Sequence, residues 1–380
     1  MIKVKDINKV KILFVANTNS LYGANRSMLN LIKYLQEAGH KIWVMLPRNG
    51  GVTSELDKLG CPYFVENYYS CVSVNNKFNW RYFINYFSLP KIYYKIKKIN
   101  IDIVHTNSST HDIGAILAEL LHVPHVWHVR EIFKHYDMKY IMPNNYRRLR
   151  EKSKKVICIS RTVFDVNAKE FDSSNMVVVY NGFLVDEKNQ SKVRFENPKI
   201  HLLAAGMITP NKGQNEAIEA MNVLINEKHF KNLFLTIVGD GEKLYIKELQ
   251  EKVELYNLNN YIEFKAFDRN LSKLRENYDI ALQCSRLEGL GRVTVESMLE
   301  SLLVIGAKSG ATQELISDKK NGFLYTPGNA REMAEKIEYA ILHKQECNRI
   351  INDAREWANN VFDNNKIGKM IEEEYYKICQ

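Results

Sequence analysis

The sequence predicts an α/β protein made of two Rossmann-like domains in tandem, with a cleft between them. Its 380 residues are more than one ordinary hydrophobic core accommodates. Short apolar runs rich in β-forming residues alternate with segments of helical periodicity, a pattern typical of a parallel sheet covered on both faces. A polar, aperiodic stretch at 185–198 interrupts this alternation once, and we expect the linker there.

The first domain is expected over residues 1–190. Its alternating strand and helix patterns lie at 11–16, 27–38, 41–46, 63–65, 78–99, 101–105, 113–121, 125–129, 156–159 and 177–179. The longest of them, 78–99, mixes aromatic and basic residues.

The second domain is expected over 199–358, and a last helix, 359–380, is expected to pack back on the first domain. Its predicted strands are 200–205, 233–238, 261–264, 280–284, 304–307 and 323–325, with helices near 214–227, 242–256 and 297–303 and three helical patterns at the end. Ligands of such sheets bind beyond the carboxyl ends of the strands. The turns that follow strands are therefore where a site is expected.

Composition narrows the class of protein. The six cysteines are scattered without metal-binding spacing, which favours buried thiols in a cytoplasmic protein. The polar N-terminus does not resemble a signal peptide, and no apolar run approaches the roughly 20 residues of a membrane span. The net charge of +9 comes from the first half, since residues 1–190 hold 27 Lys and Arg against 16 Asp and Glu.

The turn between the predicted strand 279–284 and the following helix is the strongest candidate site. Gly289 and Gly291 let the backbone approach a ligand closely, and the free amides of the helix, about Leu290 and Gly291, favour an anion. Glu288 and Glu296 add carboxylates that accept hydrogen bonds from hydroxyl groups. Amides for phosphate together with carboxylates for hydroxyls suit a sugar nucleotide.

A second turn, 205–214, offers a cation at the same edge. Lys212 stands just before a helix N-terminus, where a lysine is unfavourable unless an anion lies between them, and Gly213 shapes the turn. The alternative is a solvated lysine that points outward. In the first domain Gly23 is either a phosphate or sugar contact or a helix-start residue, because the dinucleotide pattern G-x-G-x-x-G and the P-loop pattern do not occur.

These two turns carry a resemblance to family 4 of the retaining glycosyltransferases, which have the two-domain GT-B fold. The stretch 206–214 and the stretch from Glu288 to Glu296, similar to the family's E-x7-E motif, are its clearest part. An ordered series at 11–46, 102–105, 156–160, 179–182 and 306–328 extends the resemblance over nearly the whole chain.

The resemblance implies roles for individual residues. Lys212 would hold the donor diphosphate, Glu288 would lie against the donor sugar, and Glu296 would take the ribose hydroxyls. His128 would face the sugar from the first domain, although a lone histidine is more often structural and Glu296 alone would be a favourable acid near a helix start. The donor would be a nucleotide-sugar, most simply a UDP- or GDP-sugar, with no further cofactor.

One position departs from the family. Met207 stands where the family usually has an arginine, so a contact to the diphosphate is lost, and Arg130 or Arg292 is the candidate replacement. No Asp-x-Asp sequence occurs, which predicts transfer without a metal ion. The family retains the anomeric configuration, and attack on the same face as the leaving group accounts for this.

The acceptor is expected on the first domain and is predicted to be a glycan or a polyprenyl-diphosphate-linked sugar. The stretches 77–98 and 147–155 are rich in basic residues, and the first also in aromatics, as in segments that lie on anionic membranes. The alternative is a helix pair with aromatics packed on the sheet and lysines in solvent. A cytoplasmic enzyme at the inner face of the membrane is predicted, and nucleic acid is not, because no recognition motif occurs.

Two other functions stay open from the residues. A sugar-nucleotide epimerase has the same two-domain shape, and a non-catalytic partner protein could keep the fold. The donor-site combination of Lys212 with Glu288 and Glu296 favours transfer, whereas Met207 keeps open a partner that has lost activity.

Overall fold

A computed structural model of the chain describes residues 9–74, 78–133, 138–169, 173–184, 192–268 and 271–379. The chain forms two compact units, the first made of residues 1–184 and 362–380 and the second of residues 185–361. Lys77 and residues 185–191 of the expected linker lie outside the described residues. The prediction of two Rossmann-like α/β domains is confirmed.

The first unit has a parallel sheet of seven strands among its described residues, in the order β3-β2-β1-β5-β6-β8-β9. The strands of this unit are β1 (Lys11–Val15), β2 (Lys41–Leu46), β3 (Tyr63–Val65), β4 (Val72–Val74), β5 (Ile103–Thr106), β6 (His125–Val129), β7 (Met138–Tyr140), β8 (Lys155–Cys158) and β9 (Met176–Val178). The strands β4 and β7 form a separate antiparallel pair that the sequence did not predict.

The helices of the first unit cover both faces of its sheet. They are α1 (Gly23–Glu37), α2 (Gly51–Lys58), α3 (Ile84–Lys97), α4 (Ile113–Leu121), α5 (Pro143–Lys152), α6 (Arg161–Ala168) and, from the end of the chain, α14 (Asn364–Cys379). The helix α14 packs on α1, where Glu372 accepts hydrogen bonds from Tyr34 at 2.9 Å and lies 2.7 Å from His40 Nε2. Tyr375 of α14 is fully buried in the same core.

The second unit has a parallel sheet of six strands among its described residues, in the order β12-β11-β10-β13-β14-β15. Its strands are β10 (Ile200–Ala205), β11 (Leu233–Val238), β12 (Ile262–Lys265), β13 (Ile280–Gln283), β14 (Leu303–Ala307) and β15 (Phe323–Tyr325). Its helices are α7 (Gln214–Asn222), α8 (Lys243–Leu255), α9 (Leu271–Arg275), α10 (Arg292–Leu299), α11 (Thr312–Leu315), α12 (Ala330–Leu342) and α13 (Lys344–Val361).

The predicted helix 297–303 is wrong in its position. The helix α10 begins at Arg292, directly after Gly291, and ends at Leu299, and Leu303 already belongs to β14. Ser301 has a positive φ of 60°, which turns the chain from the helix into the strand. The apolar residues from 298 to 303 belong partly to a buried helix and partly to a buried strand, and periodicity alone does not separate the two.

The sequence also did not predict the short helices α2, α5, α6, α9 and α11.

Five cysteines are buried and Cys379 is exposed, all as free thiols. Over the described ranges, no helix combines the length and the apolarity that a membrane crossing requires.

Candidate functional site

The candidate site of the second unit lies where the strand order of its sheet reverses. The first strand, β10, lies between β11 on one side and β13 on the other, so the connections after β10 and β13 leave in opposite directions. A crevice opens at such a point, outside the carboxyl ends of the two strands. The two turns that the sequence singled out are the turns that follow these two strands.

The turn after β10 is held tightly against the turn after β13. Gly213 has a left-handed backbone with φ of 68°, and a Cβ there would lie 2.2 Å from the carbonyl oxygen of Cys284. The Arg286 amide donates to the carbonyl of Asn211 at 3.0 Å. Glycine at 213 is therefore required both by its φ angle and by the close approach of the two turns.

This approach brings Lys212 and Glu288 together. The Lys212 Nζ lies 2.7 Å from Glu288 Oε2, and both side chains are partly buried. The Gln283 amide nitrogen lies 3.4 Å from the same carboxylate oxygen. The two residues are 76 positions apart in the chain, and the pair places one cation and one anion side by side at the reversal point.

A third turn, after β14, supports the backbone of Glu288. The Ala311 amide donates to the Glu288 carbonyl at 3.0 Å, and the Ser309 hydroxyl donates to the Ser285 carbonyl at 2.8 Å. Gly310 has φ of 50°, and a Cβ there would lie 2.6 Å from the Glu288 nitrogen. Sequence reasoning missed this support, although a glycine just after a strand was its signal.

The start of α10 has no side chain that caps its first amides. Gly291 occupies the N-cap with φ of 87° and has no side chain to cap the first amides, while Leu290 beside it is buried. Gly289 lies in the same turn. Unsatisfied amides at a helix N-terminus and the positive end of the helix dipole favour negative charge there.

Glu296 lies in the middle of α10, and two arginines hold it. Its Oε2 lies 2.8 Å from Arg275 Nη2, and its Oε1 lies 3.0 Å from Arg292 Nη2. Arg275, at the end of α9, is fully buried and also reaches Glu300 at 3.4 Å. Nothing in the sequence identified Arg275, because the contact joins residues 21 positions apart.

In the first unit, the predicted residues gather at the corresponding edge of the other sheet. Gly23 begins α1 just after β1, and the next residue's carbonyl accepts a hydrogen bond from Asn107 at 3.2 Å. Asn107 in turn accepts from Arg130 Nε and Nη2 at 3.0 and 2.8 Å. His128 is the penultimate residue of β6, and its Nδ1 lies 3.4 Å from Arg130 Nη2.

His128 and its neighbour His105 are fully buried. Burial, and then the charge of Arg130, lower the pKa of both imidazoles well below the usual range, so both are neutral at pH 7. The two rings are joined by a contact of 3.1 Å between His105 Nε2 and His128 Nδ1. Sequence reasoning named His128 as a site residue and His105 only as part of a strand.

The position that departs from the family is exposed. The Met207 side chain points to solvent, while its carbonyl accepts from Gln214 at 2.9 Å. Arg130 and Arg292, the candidate replacements for the missing arginine, are each engaged within their own unit. In the described part of the chain, no three or more His, Cys, Asp or Glu side chains are grouped so as to hold a metal ion.

Two family models match the chain. Residues 22–187 match the model described as Glycosyltransferase Family 4, and residues 185–357 match the model described as Glycosyl transferases group 1. An uncharacterized glycosyltransferase of Methanocaldococcus jannaschii is 30% identical over 297 residues, which cover 72% of this chain and 76% of that protein.

More distant relatives cover more of the chain. The UDP-Gal:α-D-GlcNAc-diphosphoundecaprenol α-1,3-galactosyltransferase of Escherichia coli is 23% identical over 334 residues, covering 83% of this chain and 84% of that protein. The structure of Anabaena HepE with UDP and glucose has a TM-score of 0.80 at 24% identity and covers 96% of this chain and 98% of that one. The structure of a glycosyltransferase of Rickettsia africae has a TM-score of 0.81 at 24% identity and covers 98% of this chain and 99% of that one. These two structures have the same fold as this chain.

Proposed function

The chain belongs to the glycosyl transferases group 1, and we propose that it moves a sugar from a nucleotide-diphosphate donor to a glycan or lipid-linked acceptor with retention of configuration. The observation that carries this proposal is the Lys212–Glu288 pair of 2.7 Å at the reversal point of the second sheet. A cation and a carboxylate at this point match the two ends of a sugar diphosphate.

Donor binding would exchange partners in this pair. The Lys212 ammonium turns to the diphosphate, whose charge exceeds that of one carboxylate, and the amides at the start of α10 take a second phosphate oxygen. Glu288 is then released to accept from a sugar hydroxyl or to balance charge near the anomeric carbon. Glu296, fixed by two arginines, keeps lone pairs that accept the ribose hydroxyls.

The reaction follows from where charge develops. As the bond between the anomeric carbon and the phosphate oxygen lengthens, the diphosphate gains negative charge and the sugar gains positive charge. Lys212 and the α10 amides stabilise the first, and Glu288 stabilises the second. The acceptor oxygen forms its bond on the face that the phosphate leaves, and its proton passes to a phosphate oxygen. Lys212 supplies the positive charge that neutralises the leaving diphosphate, and transfer therefore proceeds without a metal ion.

A panel of UDP-, GDP- and dTDP-sugars tests the donor site. We expect one donor to bind and to be slowly hydrolysed, and Lys212→Met and Glu288→Gln each to lower kcat by about 10²–10³. Lys252→Met is the matched control, because Lys252 pairs with Glu219 at 2.9 Å elsewhere in the same unit. Full activity of Glu288→Gln would remove this residue from the mechanism.

Product analysis separates the competing functions. Transfer yields a glycosylated acceptor, epimerisation yields a new sugar nucleotide, and a non-catalytic partner yields neither. Saturation by none of the donors would contradict an active enzyme.

We also propose that the acceptor is reached at a membrane surface, because the E. coli relative is named for an acceptor linked to diphosphoundecaprenol. The segment 78–98 supports this. Its aromatic side chains are mostly exposed, including Phe87 at 84% and Trp80 at 63%, while Arg81 and Lys98 are exposed on the same segment. Exposed aromatics interleaved with basic groups suit the interface of an anionic bilayer at the inner face of the membrane.

The second basic stretch, 147–155, contributes less to this surface. Its charges are largely paired within the unit: Arg147 with Glu151, Arg148 with Asp112, Lys152 with Glu119 and Lys155 with Glu374. The membrane proposal therefore depends on 78–98.

Sedimentation with vesicles tests this surface. We expect the full chain to bind vesicles that contain phosphatidylglycerol, and the double variant Trp80→Ser with Phe87→Ser to lose most of this binding, because each ring inserted in the interface contributes on the order of 1 kcal/mol. Leu244→Ser is the control, since Leu244 is an equally exposed apolar residue of the second unit. Unchanged binding of the double variant would contradict the proposal.

A further inference from the structure

A buried chain of hydrogen bonds connects the last helix of the first unit to His128. Tyr375 Oη, on α14, lies 2.6 Å from His105 Nδ1, and His105 Nε2 lies 3.1 Å from His128 Nδ1. All three side chains are fully buried, and the ring of Phe14 lies against His105 at 4.6 Å between ring centroids. The three groups therefore have little freedom to rearrange.

Arg130 sets the direction of this chain. Its Nη2 lies 3.4 Å from His128 Nδ1, and a guanidinium only donates hydrogen bonds, so Nδ1 must accept. His105 Nε2 then carries the hydrogen that points to the same nitrogen. Because burial and Arg130 keep the pKa of His105 well below the usual range, its Nδ1 has no proton and accepts from the Tyr375 hydroxyl.

These contacts determine the protonation of the other nitrogen of His128, Nε2. A neutral imidazole with an accepting Nδ1 carries its hydrogen on Nε2. This atom is buried and has no hydrogen-bond partner among the residues that the structure describes, and the same holds for Asn17 Oδ1 and Ser109 Oγ at the ends of the neighbouring strands β1 and β5. A buried donor without an acceptor is costly, and a ligand oxygen would satisfy it.

We propose that His105 and Tyr375, together with Arg130, are positioning residues that hold His128 as the tautomer with hydrogen on Nε2, so that it donates a hydrogen bond to a hydroxyl oxygen of the sugar. The identity of the ligand rests on the proposed function. In this form His128 is a neutral donor and does not take the proton of the acceptor hydroxyl, which is consistent with that proton passing to the diphosphate. The tautomer itself depends only on contacts within the first unit.

Long-range ¹H–¹⁵N spectra of the histidine rings in the ligand-free full chain test the tautomer. At pH 7 we expect His128 and His105 to show a protonated Nε2 and an unprotonated Nδ1, with His128→Gln and His105→Gln identifying their signals. In Tyr375→Phe, His105 loses its hydroxyl donor, and we expect its two nitrogens to move toward averaged shifts. A wild-type His128 protonated on Nδ1 would overturn the proposal.

Kinetics with the donor from the sugar-nucleotide panel test the role. His105→Gln keeps an N–H group close to the position of the ring Nε2, whereas His105→Leu has none. We expect His105→Leu to lower kcat about tenfold or more, as loss of a group that orients another does, with donor KM within about twofold, and His105→Gln to recover most of kcat. Equal losses in both variants, in proportion to their lowered Tm, would show a merely structural role and overturn the proposal.

The spectra also separate this proposal from the proposed function. If no sugar is transferred by the wild type, the ring nitrogens still decide whether the chain of Tyr375, His105 and Arg130 sets the tautomer of His128. If transfer occurs and the tautomer is the other one, the positioning role fails while the glycosyltransferase function stands.

Discussion

The six strands of the second sheet follow the same order as the first six of the other sheet, but the two sheets carry different chemistry at their carboxyl edges. In the second unit, the reversal point holds charged pairs, Lys212 with Glu288 and Glu296 with two arginines. In the first unit, the corresponding edge holds neutral histidines, buried around Arg130. At the same edge, the second unit therefore holds carboxylates that have cationic partners, whereas the first unit holds histidines that burial and Arg130 keep neutral. The difference lies in the partner that each ionisable group meets.

The largest expected effect is a loss of folding stability when the buried charge of Arg275 in the second unit is removed. Arg275→Met leaves Glu296 with one arginine in a buried position, and removal of one partner of a buried ion pair typically destabilises a protein by about 3–5 kcal/mol. The Arg275 side chain is only 2% exposed. Urea unfolding of the purified variants measures the loss.

Arg286→Met is the control for this prediction. Its side chain is 64% exposed and lies 3.6 Å from Glu216, so the expected loss is below about 1 kcal/mol. Similar losses in the two variants would show that depth of burial is not what distinguishes the pairs of this unit.

Lowering the pH should reduce the folding stability mainly of the first unit. Burial lowers the pKa of His125 to about 3 and of His111 to about 4. Below the unfolded value of about 6.5 the unfolded chain binds protons that the folded chain does not, so this stability is present above pH 6.5 and is lost as the pH falls. Each such histidine lowers the free energy of unfolding by about 2 kcal/mol at pH 5.

Urea unfolding followed by tryptophan fluorescence at several pH values between 7 and 5 measures this dependence, since Trp43, Trp80 and Trp127 lie in the first unit. His125→Gln should reduce the slope by about one proton. His229→Gln, an exposed position of the second unit, should leave it unchanged. An unaltered slope in His125→Gln would contradict the assignment.

The smallest expected effect comes from placing an arginine at position 207 of the candidate donor site, where the resemblance expects one. Met207→Arg adds a charged donor beside the diphosphate, and a hydrogen bond to a charged group contributes about 1.5–3 kcal/mol at best, less where the side chain is exposed. We expect donor Kd to fall by about tenfold or less, with Tm unchanged because the side chain points to solvent. Met207→Leu is the control, and equal affinities for the two variants would show that this position does not contact the donor.

Much of the fold was visible in the sequence because short apolar runs bounded by glycine or polar residues map directly onto parallel strands. The strands β2, β3, β6, β10, β11 and β15 have the predicted bounds. The helix α10 was misplaced because its last residues, Met298 and Leu299, and the residues Leu302 and Leu303 at the next strand are all apolar. The pair β4 and β7 was missed because each strand has a polar central residue, Ser73 and Lys139, so that no apolar run marks it.

The site residues also divide into those that the sequence predicted and those that it did not. Lys212 and Glu288 could be paired from the sequence because both follow strands, and neighbouring parallel strands present their carboxyl ends at one edge. Arg275 could not be found, because its role comes from α9 packing beside α10 and not from any motif.

The sequence by itself determined the fold class, the two turns of the candidate donor site and the family, since these depend on local composition and spacing. The tertiary structure alone decided which ionisable groups are buried and which partner each one meets. Tyr375 reaches His105 across 270 positions of the chain, and Arg130 reaches Asn107 across 23 positions. Proton positions and ion-pair strengths depend on burial and on distances of a few ångströms, and these are set by packing between segments that are far apart in the chain.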